Sequence, residues 1–244
     1  MKIVLLESLG IPAELLKSYA DQLGAKGHTF AAYEKNTDAQ VQIDRAKDAD
    51  VIMIANMPLK GEVIRACKNL KFINVAFTGV DHVDLAAAKE MGVKVSNASG
   101  YSTQSVAELA LGMMLSLLRN VPQVEERCRA GKTKDGLVGT ELRGKTVGIV
   151  GAGAIGQNTG RLCKAFGCKV IAYNHRPKQA AEGTIDEFVD LDTLTRESDI
   201  ISLNCPLNDS TRGMFDFGRI AMMKKTAILI NVARGAVTDE AAVA

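Results

Sequence analysis

A chain of 244 residues, 47% hydrophobic, 5% aromatic and without Trp, can bury more than one core, and its Val, Ile and Ala content suits parallel sheets covered on both faces. Its 30 basic and 28 acidic residues leave a net charge of +2, which gives no footing for nucleic acid or a membrane surface. No apolar run reaches the length of a membrane span, and residues 1–7 read as a first strand rather than a leader, so a soluble cytoplasmic protein is expected. Five cysteines, Cys67, Cys128, Cys163, Cys168 and Cys205, with no CxxC pair, imply reduced thiols, with Cys163 and Cys168 in a packing role. His28, His82 and His175 lack metal-ligand spacing, so no metal site is expected.

Residues 2–7, 28–33, 51–56, 72–77 and 93–96 read as strands, with helices near 12–23, 37–47, 61–67 and 84–91. This is a parallel α/β unit without a phosphate fingerprint, so its role is something other than the nucleotide. Ligands in such sheets sit beyond the carboxyl ends of strands, which points to residues 56–59 and 78–84. In the second loop, TGVDHVD, the amides around Gly79 suit a carboxylate, while Asp81 and Asp84 suit capping of the next helix; the two roles use different atoms. His82 reads as structural or supporting rather than catalytic.

A long apolar helix over 102–119 follows and is expected to cross between domains, making 97–101 the hinge and dividing the chain into 1–97 and 98–244. Residues 121–142 read as an irregular, charged arm, either disordered or docked on another subunit.

The stretch TVGIVGAGAIG, residues 146–156, joins an apolar strand to a glycine turn. Gly151 permits the tight turn, Gly153 lets the main chain approach a pyrophosphate, and Gly156 lets the next helix lie close on its strand. Ala154 and Ile155 complete the loop at the helix N-terminus, where an anion is favoured. Further strands are expected at 169–173, 188–191, 199–203 and 227–232, which makes five of the six in a dinucleotide fold, and the second domain reads as lacking its last strand. After the second strand stand Asn174, His175 and Arg176, with no acid to bind the adenosine ribose hydroxyls. That favours NADP over NAD, the alternative being that Arg176 points into water while Asn174 binds the ribose of NAD.

The succession TGVDHVDL, NASGYSTQSVAELALGMMLSLLR, LRGKTVGIVGAGAIG, CPLNDSTRGMF and MMKKTAILINVARGAVTDE covers the whole chain and resembles the D-isomer-specific 2-hydroxyacid dehydrogenases. This resemblance implies two Rossmann-like α/β domains, a flavodoxin-like substrate domain and an NAD(P)-binding domain, in a homodimer with its active site in a cleft between domains. Arg234, in NVARG, matches the arginine that grips the substrate carboxylate and polarises the 2-oxo group, a task for a planar fork that is always charged. The alternative for Arg234 is a structural ion pair. Gly79 and Val80, with Thr78 beside them, match the amides that hold the carboxylate, and Tyr101 is a secondary candidate for substrate contact. Cys205 and Pro206 match the wall of the adenosine side, and Val232 and Ala233 the nicotinamide ribose side.

The implied reaction is hydride transfer between NAD(P)H and a small 2-oxo acid or D-2-hydroxy acid of the hydroxypyruvate, glyoxylate or phosphoglycerate type. The family's proton-donating histidine and its glutamate are expected beyond Ala244, so the chain as written is expected to turn over poorly. The alternative is a non-catalytic dinucleotide-binding module resembling the corepressor branch; the formate dehydrogenase branch is disfavoured, because it too needs that histidine and a more elaborate substrate loop.

Overall fold

The computed structural model describes residues 1–176 and 179–244. The chain divides into two compact units, Met1–Tyr101 and Ser102–Ala244. Each is organised around a parallel sheet of five strands.

In the first unit the elements run β1 (Lys2–Leu5), α1 (Ala13–Ala25), β2 (Thr29–Ala32), α2 (Ala39–Ala46), β3 (Val51–Ile54), α3 (Gly61–Ala66), β4 (Phe72–Val75), α4 (Leu85–Glu90) and β5 (Lys94–Asn97). The strand order β2-β1-β3-β4-β5 is the flavodoxin-like doubly wound arrangement, whose direction reverses between β1 and β3. Alternate residues Ile52 and Ile54 of β3 and Ile73 and Val75 of β4 have no solvent exposure and pack with Val63 and Ile64 of α3. Short polar residues start the helices: Asp38 accepts from the Val41 N–H, and Asp84 from the Ala87 N–H at 2.9 Å, which makes Asp84 the cap of α4.

The second unit runs α5 (Thr103–Leu118), α6 (Val121–Arg129), β6 (Thr146–Val150), α7 (Ala154–Ala165), β7 (Lys169–Tyr173), β8 (Glu187–Phe188), α8 (Leu191–Glu197), β9 (Ile200–Leu203), α9 (Phe217–Met222), β10 (Ile228–Asn231), a 3-10 turn (Gly235–Val237) and α10 (Glu240–Val243). Its order β10-β9-β6-β7-β8 corresponds to strands 5-4-1-2-3 of the dinucleotide-binding order, reversing between β6 and β9. Met114 of α5 and Cys163 of α7 are both fully buried, with their sulfurs 3.9 Å apart. At the end of α7 the Gly167 N–H bonds to the Lys164 carbonyl, and the Cys168 N–H to the Cys163 carbonyl. Gly167 has φ 81°, so this is a Schellman stop. The motif brings Cys163 and Cys168 together as its closing apolar contact, the packing role expected of them.

Two expectations are corrected. Residues 121–142 are not irregular from the start, because α6 fills the first nine. Asn120, in the left-handed region with φ 53°, ends α5, and Pro122 occupies the first turn of α6, where its missing N–H removes no bond. No side chain of α6 is buried, so the apolar periodicity that reveals helices is weak there, and a Glu125–Arg129 pair one turn apart supports it instead. The third strand of this unit is only Glu187–Phe188, and Leu191 already belongs to α8, because Asp190 accepts from the Thr193 N–H and starts the helix.

The two units share a device at the amino edges of their sheets. In the first, Asp50 accepts from the Lys2 N–H at 2.8 Å and from Lys71 Nζ at 2.6 Å, tying together the starts of β1, β3 and β4. In the second, Asp199 accepts from the Thr146 N–H and Lys224 Nζ, both at 2.8 Å, at the starts of β6 and β9 and just ahead of β10. For Asp50 the Lys71 bond, helped by the Lys2 N–H, lowers the carboxyl pKa; for Asp199 burial opposes ionisation and is outweighed by Lys224 and Thr146. Both folded values lie below the ordinary 3.8, so the stabilisation is full above that value and is lost as pH falls through the lowered one. Asp199→Asn is therefore expected to lower the thermal midpoint at pH 7, with the gap to wild type narrowing toward pH 3; a constant gap would contradict the assignment.

Candidate functional site

In the first unit, three segments meet at the carboxyl ends of β1, β3 and β4. Both loops expected from the sequence are there, and they are stitched to each other: Leu59 bridges Val83, with the Leu59 N–H donating to the His82 carbonyl at 2.9 Å and the Asp84 N–H to the Leu59 carbonyl at 3.1 Å. Thr78, Gly79 and Val80 are half-buried, and the Thr78 carbonyl accepts from Asn97 Nδ2 at 2.6 Å, which anchors the loop to the end of β5. Tyr101 is 61% exposed, with its ring 6.2 Å from that of Phe77 and tilted by 56°.

The residue that shapes this edge is Glu7, which sequence reading passed over. It is 5% exposed, and its Oε1 accepts the N–H groups of Ala55, Asn56 and Met57 at 2.7, 2.8 and 2.6 Å. One carboxylate oxygen thus gathers three successive amides of the loop after β3, at the point where strand order reverses. The signal was an acid directly after the apolar run IVLL, residues 3–6.

In the second unit the glycine loop lies at the carboxyl edge of β6. Gly151 has φ 93°, and a Cβ there would stand 2.8 Å from the Cys205 amide nitrogen, so the first glycine allows the loop to touch the segment after β9. A Cβ on Gly156 would overlap the Gly151 carbonyl oxygen, and α7 can lie against its strand only without one. Gly153 differs: a Cβ would meet no protein atom within 4 Å, so the space it leaves opens outward from the loop. No side chain caps α7, whose N-cap is Gly153, leaving the N-terminal amides facing that space. An unfilled cradle of amides at a helix N-terminus fits a pyrophosphate.

The remaining candidates of this unit fall on the same edge. Cys205 is 8% exposed and Pro206 is exposed, directly after β9. Val232, Ala233 and Arg234 follow β10 and are half-buried. Asn231, which sequence reading missed, shapes that turn: its Oδ1 accepts from the Ala233 N–H at 3.0 Å and its Nδ2 donates to the Arg234 carbonyl at 2.9 Å. Arg234 is extended, with φ −138° and ψ 140°. After β7, His175 and Arg176 are exposed, whereas Asn174 is half-buried and engaged with backbone on both sides. Its Oδ1 accepts from the Ala152 N–H at 3.1 Å and its Nδ2 donates to the Arg176 carbonyl at 2.7 Å.

Among the described residues no helix is long and apolar enough to cross a membrane, and no group of three or more His, Cys, Asp or Glu gathers that could hold a metal.

The sequence model described as D-isomer specific 2-hydroxyacid dehydrogenase, NAD binding domain, matches residues 111–244. The chain is 44% identical over 197 residues to a hydroxypyruvate reductase of Thermotoga maritima, a match covering 80% of this chain and 64% of the relative. It is 41% identical over 204 residues to a D-3-phosphoglycerate dehydrogenase of Methanocaldococcus jannaschii, covering 82% and 39%. It therefore spans less than two thirds of the length of either relative. Among solved structures, an acyclic imino acid reductase, Bsp5, in complex with NADPH and D-Arg matches with a TM-score of 0.89 at 30% identity, over 100% of this chain and 78% of that one. The second unit, with its open glycine cradle, is an NAD(P)-binding domain, and the chain belongs to the D-isomer specific 2-hydroxyacid dehydrogenase family.

Proposed function

We propose that the protein transfers a hydride between NADPH and a small 2-oxo acid of the hydroxypyruvate or glyoxylate type, with the D-2-hydroxy acid as the other member of the pair. The observation that carries this is Arg234, set by the Asn231 turn on the sheet edge that also carries the open glycine cradle. Bound there, the dinucleotide supplies the hydride. Gly153, Ala154, Ile155 and Gly156 offer amides to its pyrophosphate, Cys205 and Pro206 wall its adenosine side, and Val232 and Ala233 lie along its nicotinamide ribose. Arg234 binds the substrate carboxylate and polarises the 2-oxo group. In the first unit, taken by itself, the Thr78, Gly79 and Val80 segment offers amides suited to a carboxylate, and Tyr101 is a secondary candidate for substrate contact. Preference for NADPH is supported by Arg176, exposed and with no acid at 174–176, while Asn174 is occupied with backbone. Five free thiols support a reducing, cytoplasmic setting. Exposed apolar side chains along α5, α6 and the segment after it, Leu109, Leu117, Val121 and Val138, support a homodimer.

NADPH and NADH oxidation with hydroxypyruvate, glyoxylate and pyruvate tests the reading. Arg234→Ala is expected to lower kcat/KM by on the order of 10²- to 10³-fold, the scale for removing one charge-directed donor at a reacting carbonyl. A cofactor-dependent change of oligomeric state, without consumption of any oxo acid, would favour the non-catalytic module. The likeness to Bsp5 adds a second class to the panel, imino acids formed from these oxo acids and an amine, whose C=N carbon accepts a hydride as the C=O carbon does.

A further inference from the structure

Gln157, the first residue after the glycine fingerprint, is half-buried and spans two loops with one carboxamide. Its Nε2 donates to the Ala152 carbonyl at 3.0 Å, inside the glycine loop, and its Oε1 accepts from the Ala181 N–H at 2.9 Å, in the segment between β7 and β8. The N–H of the same Ala152 is held by Asn174, which also holds the Arg176 carbonyl. Ala152 is thus the junction of two braces: Asn174 fixes the start of the β7–β8 segment and Gln157 its return. One turn further along α7, Gly160 lies under the Thr184 carbonyl, where any Cβ would collide, and Thr184 donates to the Ala181 carbonyl through both its N–H and Oγ1. Asn174, next to His175 and Arg176, and Ala181 are therefore each tied to the loop that cradles the pyrophosphate.

This linkage matters because a dinucleotide presents its pyrophosphate and its adenosine 2′ position at a separation set by one ribose. A protein that reads both must hold its amide cradle and its 2′ contacts at the matching spacing. We propose that Gln157 is a positioning residue for cofactor choice: through Ala152 and Ala181 it sets where the Arg176 segment stands relative to the glycine loop, and so the preference for NADPH over NADH. The proposal rests on the NADPH reading above. Gln157 need not touch the cofactor, and its own amides are consumed by backbone.

The test is equilibrium binding of NADPH and NADH, followed by the fluorescence of the reduced nicotinamide or by calorimetry, to the full 244-residue chain and to Gln157→Ala, Arg176→Ala and the double variant. A wild type that prefers NADPH supports the underlying reading; one that binds neither cofactor, or shows no preference, overturns that reading and the proposal with it. Given that preference, Gln157→Ala is expected to reduce the NADPH:NADH affinity ratio by about fivefold or more, the scale of one hydrogen bond's worth of misplacement, while NADH affinity stays near wild type. In the Arg176→Ala background the same substitution should change the ratio little. A role in general bracing predicts instead that both cofactors weaken together at an unchanged ratio, and that result, or a ratio change that persists without Arg176, overturns the proposal. Gln157→Met keeps the side chain's length and adds no charge while losing both hydrogen bonds, and should move the ratio the same way. Thermal midpoints of the variants identify any that fail to fold, and Gln157→Met, close to the wild-type side chain in size, then carries the test.

Discussion

Glu7→Ala is expected to destabilise the first unit by about 3 to 5 kcal/mol, a large part of a typical domain's stability. The carboxylate oxygen that accepts from Ala55, Asn56 and Met57 is the shared partner of three successive amides, so its removal orphans all three at once. Met57 is fully buried and cannot recover its bond from water without opening the loop. Glu7→Gln retains an acceptor but not the charge, and should fall between wild type and Ala. Amide hydrogen exchange at residues 55–57, read beside urea unfolding, checks this. Wild-type-like protection in Glu7→Ala would mean the loop holds its own shape. The same substitution should raise the KM for the oxo acid more than it changes cofactor affinity, since the glycine cradle belongs to the other unit.

Gly156→Ala is expected to weaken NADPH and NADH alike by on the order of 10- to 100-fold, through loss or misalignment of one or two charge-assisted amide contacts. The added Cβ would overlap the Gly151 carbonyl oxygen and stand 2.9 Å from Ile149 Cγ2, so α7 must move away from β6. Stability should fall as well, because the packing of α7 on its strand is disturbed. Gly153→Ala is the informative contrast. Its Cβ would meet no protein atom within 4 Å, so the thermal midpoint should stay near wild type while affinity falls, the methyl group entering space left for the ligand. If Gly153→Ala bound cofactor as wild type does, the pyrophosphate would not lie where the cradle opens.

The two substitutions act on features of unequal visibility in the sequence. The glycine loop could be read directly because its logic is local: strand, turn and helix N-terminus are contiguous, and the three glycines that mark it fall within six residues. The order of strands and helices was likewise carried by runs of Val, Ile and Ala bounded by Asp caps and Gly stops, such as Asp84 before α4 and Gly167 after α7. Glu7 could not be read in this way, because the amides it binds lie 48 to 50 residues away and only pairing of β1 with β3 brings them near. Gln157 was opaque for a related reason: a Gln in the first turn of a helix is ordinarily a solvated side chain, and its contacts arise from how the β7–β8 segment folds back over α7. The helix α6 escaped because it buries nothing, and periodicity is a signal only where a face is buried.

What the sequence by itself determined is the succession of βα units, the cradle at residues 151–156 and the membership of the chain in its family, because these depend on short-range backbone demands and on motifs kept in order along the chain. Tertiary structure alone decided which polar side chains hold the loops of the two sheet edges: Glu7 on residues 55–57, Asn231 under Arg234, and Asn174 with Gln157 around Ala152. The physical reason is that backbone amides at the ends of parallel strands find no partner within their own strand. They are satisfied by whichever polar side chain the packing of neighbouring strands and helices carries into reach.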